Sequence, residues 1–320
     1  MGLYPRAITE YLAALAIPRG PDSNVYLVDP ANGDDGNLGD RWTKPLKTIP
    51  AAYAKCVSGQ NDVVLYLAGT SGTTLTEKLT WAKSYTHLIG MCAPVRTAQR
   101  ARIFAASDMD DAELIEISGT GCIFKDLYIF NGPDEATALG CVKVSGGRCY
   151  FENVHFAGPG HATNAIDGAY ALGLHGGDGE HLFKNCTFGL TTVGAATGVR
   201  CVAFLGGYTP RVVFEDCTFA IHATNAGAMI VEDDSGGASI IEYALWKNCL
   251  FFNEAETAID TAFEIDTVNV ARQHFLLINC WRNSGIDDWE DQAKACVWVG
   301  GSPDMGAGTS QGDMVVASVA

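Results

Sequence analysis

Several residues in this chain are of types that can move protons or hold metals. Asp233 and Asp234 are adjacent, Asp178 and Glu180 lie upstream of them, and His175 is followed by Gly176. His155, His161, His181 and His222 add imidazoles, and there are 11 cysteines. Paired carboxylates and histidines suit acid–base work. Their positions argue for a plainer role. The histidines fall at different offsets of a repeat and would scatter over a surface, and no C-x-x-C or paired Cys/His spacing marks a zinc site. No Ser/His/Asp order, phosphate loop or nucleotide fingerprint is present. If the chain is catalytic, His175, Asp233 and Asp234 are the candidates; no metal or cofactor is expected.

The elements that would carry these residues come from a recurring phrase: IFKDLYIF from Ile123, YFENVHF from Tyr150, LFKNCTF from Leu182, VFEDCTF from Val213, LWKNCLF from Leu245 and LINCWR from Leu277. Its Asp or Asn recurs at spacings of 27, 32, 31, 32 and 31 residues, which is the mark of a repeat architecture. Along LFKNCTF the gap from Phe183 to Cys186 is three residues, where strict strand alternation allows two or four. One bend at the Asn repairs the phase, because Asn and Asp tolerate a left-handed backbone. Each repeat therefore reads as strand, Asn corner, strand. A second strand family precedes the corners: LIEIS from Leu114, CVKVSGG from Cys141, ALGLHGG from Ala171, VRCVAFLGG from Val199, AMIVEDDSGG from Ala228, AFEID from Ala262 and CVWVGG from Cys296. Short strands between Gly and Asn turns, with no helical period, predict a parallel β-helix in which each repeat makes one coil.

Cys186, Cys217, Cys249 and Cys280 share one repeat position, where Leu127 and Val154 stand in earlier copies, so a column of reduced core thiols is expected. That pattern favours folding in a reducing cytosol. The chain has 320 residues, 48% of them hydrophobic and 18% charged, which is enough for a large core. No apolar run approaches the roughly 18 to 20 residues of a membrane span. The net charge of −16 opposes nucleic-acid binding, and an acidic polysaccharide would be repelled unless a basic groove or bound Ca²⁺ intervened.

The division expected is an N-terminal arm over 1–22, a strand, loop and capping helix over 23–62, and the β-helix over 63–320. KTIPAAYAKC, with Ile49, Ala52 and Tyr53 on one side, would plug the open end of the solenoid. The arm would either dock on a partner or cap the first coil. MVVASV, from Met314, would close the other end.

The opening VYLVD, then NGDDGNLGDRWTKPLKTI, an Ala-rich helix and VVLYLAGT, together with the F-x-N-C-x-F phrases, resembles right-handed β-helix proteins of the pectin-lyase-like superfamily, of the kind common in tailed phages and bacteria. The resemblance covers roughly residues 23–301 and implies an all-β, single right-handed parallel β-helix of about eight coils. It does not fix the function, since the superfamily spans lyases, hydrolases and virion parts. Its pectate-lyase branch implies Ca²⁺-holding carboxylates and a strand-borne Arg; Arg200 and Arg211 match no such motif. Its polygalacturonase branch implies Asn-x-Asp, Asp-Asp, Gly-His-Gly and Arg-x-Lys in that order, whereas His175-Gly176 here precedes Asp233-Asp234 and no Arg-x-Lys follows. The expectation is a non-enzymatic structural or decoration protein of a tailed-phage particle. It would fold in the host cytoplasm and contact other virion proteins and copies of itself, without nucleic acid or membrane. The alternative is a polysaccharide-degrading tailspike or secreted lyase or hydrolase.

Overall fold

The computed structural model describes residues 13–14, 16–69, 72–98, 101–233, 242–265, 275–290 and 297–299. The described residues wind as an all-β parallel solenoid of about six regular turns, fewer than the eight coils expected, with little helix beside the short Ile49–Lys55 segment. Asp234, MVVASV and most of the N-terminal arm lie outside the described residues.

Two sheets wall the solenoid. The broad sheet runs through strands Val25–Val28, Asp62–Leu67, Thr86–Met91, Ile123–Phe130, Tyr150–Ala157, Leu182–Lys184, Val212–Glu215, Ala244–Lys247, Phe275–Ile278 and Val297–Val299. The narrow sheet stacks Leu79–Trp81, Glu113–Ile117, Gly140–Val144, Tyr170–Leu174, Arg200–Phe204, Met229–Asp233, Ile259–Ile265 and Ile286–Glu290. One expected assignment changes. Val297–Val299 pairs with Phe275–Ile278 in the broad sheet, and Ile286–Glu290 takes the expected place beside Ile259–Ile265.

The Asn corners are where the spacing put them. Asp126, Asn153, Asn185, Asp216, Asn248 and Asn279 all have φ between 52° and 57°, the left-handed region that a short polar side chain tolerates best. Neighbouring corners hydrogen-bond: Asn153 Nδ2 donates to Asp126 Oδ1 (2.6 Å), Asn248 Nδ2 to Asp216 Oδ1 (3.1 Å) and Asn279 Nδ2 to Asn248 Oδ1 (2.8 Å). A second left-handed file stands at the other bend, at Arg148, Glu180, Arg211 and Glu242. Its side chains alternate in sign and pair down the stack, Arg148 with Glu180 (2.7 Å), Glu180 with Arg211 (2.6 Å) and Arg211 with Glu242 (2.7 Å). Beside it Gly177 is held at φ 76°, where an added Cβ would fall 2.2 Å from the Gly146 carbonyl oxygen.

Constant register turns sequence repetition into columns. Phe124, Phe151, Phe183, Phe214 and Trp246 stack at centroid distances of 5.2, 4.7, 4.9 and 5.1 Å. Across the corner Phe156, Phe188, Phe219 and Phe251 stack at 4.9, 4.9 and 4.8 Å. Offset stacking adds about 0.5–1.5 kcal/mol per pair beyond area burial. The thiols of Cys186, Cys217, Cys249 and Cys280 are buried and unbridged, as expected of a core column.

The helix, α1 (Ile49–Lys55), starts at Thr48, whose hydroxyl accepts from the Ala51 amide, and carries Pro50 in its first turn. It buries Ile49, Ala52 and Tyr53, and Tyr53 stacks on Trp81 at 4.2 Å, closing the N-terminal end of the core. Ile17 packs separately, against Val25, Leu27, Val63, Leu65 and Ile89.

Candidate functional site on the narrow sheet

The narrow-sheet strands carry their own phase slip. In Glu113–Ile117 both Leu114 and Ile115 join the core, and Cys141 with Val142, Ala171 with Leu172 and Cys201 with Val202 repeat that pattern. The residues flanking each inward pair are left to the outer face. Two outer files result: Glu113, Gly140, Tyr170 and Arg200 in one; Glu116, Lys143, Gly173, Ala203 and Glu232 in the other.

Charges concentrate at the head of these files. Lys78 Nζ lies 2.9 Å from Glu116 Oε2 and 3.7 Å from Glu113 Oε2, so one ammonium bridges two carboxylates. Lys143 Nζ lies 3.6 Å from Glu113 Oε1, the oxygen that accepts the Tyr170 hydroxyl at 3.3 Å. The Tyr170 ring crosses Gly140 and Gly173, where any Cβ would collide with it. Glycines on the adjacent strand (Gly140) and on its own strand (Gly173) are therefore what let the phenol reach Glu113. Further along, Arg200 pairs with Glu232.

These contacts set the protonation states. The Lys78 hydrogen bond holds the Glu116 carboxyl below its ordinary range, and that bond raises the Lys78 ammonium in turn. Burial, followed by the Glu113 charge, pushes the Tyr170 phenol far above its ordinary value. At neutral pH the cluster is a carboxylate beside an ammonium, with a phenol that keeps its proton. It can accept from and donate to hydroxyls at several fixed points, and its lysine and glutamate charges balance.

The residues singled out from the sequence lie elsewhere. His175 is exposed just beyond Tyr170–Leu174, its backbone amide bonded to the Val144 carbonyl at 2.9 Å. It stands near enough to Glu116 to add a minor share to the lowering of that carboxyl. Asp233 is buried, aligned with Phe204 and Ile265 on the core-facing side. Register places Asp233 two strands from Leu174, about 10 Å along the stack, so His175 and Asp233 do not meet. Asp178 and Glu180 both pair with Arg148. Among the described residues, no group of three or more His, Cys, Asp or Glu could hold a metal ion. Glu113, Glu116, Lys78 and Lys143 were not foreseen. The signal for them was a Glu and a Lys at one repeat offset, in LIEIS and CVKVS, set in otherwise apolar strands.

No protein family's sequence pattern and no curated protein matches the chain by sequence. Solved structures match it by shape. A pectin methylesterase crystallised with a hexasaccharide superposes with a TM-score of 0.55 at 16% identity, over 84% of this chain and 82% of that one. The Escherichia coli protein ybhc gives 0.54 at 13% identity, over 84% and 74%. The Aspergillus niger pectin methylesterase gives 0.50 at 12% identity, over 93% and 92%. At such identities the likeness is one of fold alone, the right-handed parallel β-helix expected from the sequence.

Proposed function

We propose that this chain is a polysaccharide-active β-helix protein that lays a glycan along the outer face of its narrow sheet. The observation that carries the reading is the partly buried cluster of Glu113, Glu116, Lys78, Lys143 and Tyr170 on the outer side of one sheet. The similar structures, pectin methylesterases among them and one of these crystallised with a hexasaccharide, support a glycan as the ligand class. In this reading Lys78 and Lys143 donate to sugar oxygens, and Glu113 and Glu116 supply the carboxylates for hydrolysis or elimination. The net charge of −16 favours neutral or esterified chains over polyanions. The test measures retention and reducing-end release on methyl-esterified pectin, polygalacturonate and a neutral glucan. Loss of both signals in Glu116→Gln, with folding intact, is expected; intact protein inert on all three polymers sinks the reading.

A second reading, a structural component of a tailed-phage particle docking through its N-terminal arm, draws on the pairing of the outward charges. Lys125, Glu152, Lys184, Glu215 and Lys247 follow one another in register, with ion pairs at 2.5 Å for Lys125–Glu152 and 2.8 Å for Glu215–Lys247. Such a surface suits a scaffold. Peptide mass spectrometry of purified particles decides it: tens of copies per particle support this reading, and absence removes it.

A further inference from the structure

On the broad sheet, away from the Glu113 cluster, residues 92–98 leave strand Thr86–Met91 and run along the stack as a strap over the Asn corners. Four contacts on successive coils hold it. Cys92 Sγ donates to the Asp126 carbonyl (3.3 Å), the Ala98 amide to His155 Nδ1 (3.2 Å), Thr187 Oγ1 to the Arg96 carbonyl (3.0 Å) and Arg96 Nη2 to Asn185 Oδ1 (3.3 Å). Between strap and corners lies a cleft of about 520 Å³ lined by Arg96, Lys125, Asp126, Glu152, Asn153 and Asn185.

The lining has an order that the corner geometry alone does not demand. It presents three donor–acceptor couples: Lys125 with Glu152 at 2.5 Å, Asn153 with Asp126 at 2.6 Å and Arg96 with Asn185 at 3.3 Å. Two cations face two carboxylates, so net charge recruits neither an anion nor a cation. A ligand must instead offer groups that donate and accept side by side, two couples across one pair of strands and a third on the next coil. Vicinal hydroxyls of linked pyranose rings do this. The volume lies within the range of small-molecule sites, about 300–1,000 Å³.

We infer that the strap-covered cleft at the Asn corners is a binding site for a short oligosaccharide of two or three pyranose units. It is separate from the narrow-sheet face and does not rest on the function proposed for that face. The experiment titrates the full chain with cellotriose and, separately, trigalacturonate by calorimetry, in wild type, Arg96→Ala, Glu152→Gln and Glu116→Gln. Melting curves confirm that each variant is folded. At least tenfold weaker binding of one or both probes in Arg96→Ala and Glu152→Gln, unchanged in Glu116→Gln, is the expected result, and the preferred probe separates a neutral from an acidic ligand. Wild type that binds neither trisaccharide overturns the inference, as does binding that both cleft variants retain. If Glu152→Gln fails to fold, Arg96→Ala decides alone, because the Arg96 side chain is exposed at the cleft rim.

Discussion

Acidification from pH 7 to pH 4 should destabilise this fold before its carboxylates begin to protonate, because three imidazoles are built in as neutral acceptors. His87, His155 and His181 are each at most 2% exposed. The Nδ1 of each accepts a backbone amide of a neighbouring segment, from Ile123 (3.2 Å), Ala98 (3.2 Å) and Cys149 (3.3 Å) respectively. Each ring proton therefore sits on Nε2, and a second proton on Nδ1 would face a donor. Burial lowers all three from 6.5 to about 4. The folded state thus binds fewer protons than the unfolded chain below pH 6.5. Stability from the neutral rings is fully present above pH 6.5 and is lost as pH falls through that window towards 4. At 1.36 kcal/mol per pH unit the loss is about 2 kcal/mol per ring by pH 5 and about 3 kcal/mol by pH 4. For three rings that is about 6 kcal/mol by pH 5, much of a normal domain's stability. Urea unfolding at pH 7, 6 and 5 reads it, and imidazole ¹⁵N shifts should hold the Nε2–H tautomer to below pH 5. A flat midpoint between pH 7 and 5, or rings titrating near 6.5, would refute the reasoning.

Phe183→Ala removes a ring stacked between Phe151 and Phe214, and calorimetric melting should show a loss of about 3–5 kcal/mol. At Asn153, φ is 53°; Asn153→Ala should cost about 1–2 kcal/mol from left-handed strain, with the lost bond to Asp126 adding to it, and Asn153→Gly should recover the strain portion in the same denaturation series. Arg211→Ala breaks pairs with Glu180 and Glu242 that are more than one-third exposed at the arginine, so its effect on the urea midpoint should be small and fade in 0.5 M NaCl. A larger, salt-independent loss would mean that Arg211 acts through something other than charge.

The Asn corners, the thiol column and the plug helix were legible because each repeats or caps in a way only one backbone explains. Leu127 and Val154 standing in the cysteine position declared it apolar, and the three-residue gap to Cys186 declared the bend. The other left-handed file was hidden. Arg148, Glu180, Arg211 and Glu242 are not residues that announce positive φ; backbone bonds from the Arg148 and Glu180 amides to the next coil, with the pairing by sign, hold the bend. The Glu113 cluster was hidden for a related reason: its members come from four segments, and the contact of Tyr170 depends on two glycines being bare. The adjacent Asp233 and Asp234 drew attention as a pair, but Asp233 is buried on the core-facing side, and Asp234 lies outside the described residues.

The alternating ladders have a consequence for how the chain finds its own register. Repeats of nearly equal length that share Phe and Cys columns are nearly interchangeable, so a growing solenoid could skip a coil and still bury its rings. Sign alternation disfavours that error. Omitting one repeat would set Arg148 against Arg211 and Glu180 against Glu242, and on the broad sheet Lys125 against Lys184 and Glu152 against Glu215. Only an even number of omitted coils restores opposite neighbours, and that forfeits two full layers of stacked aromatics. Charge here works as a parity check on assembly, rejecting single-coil slips that the hydrophobic core alone would accept.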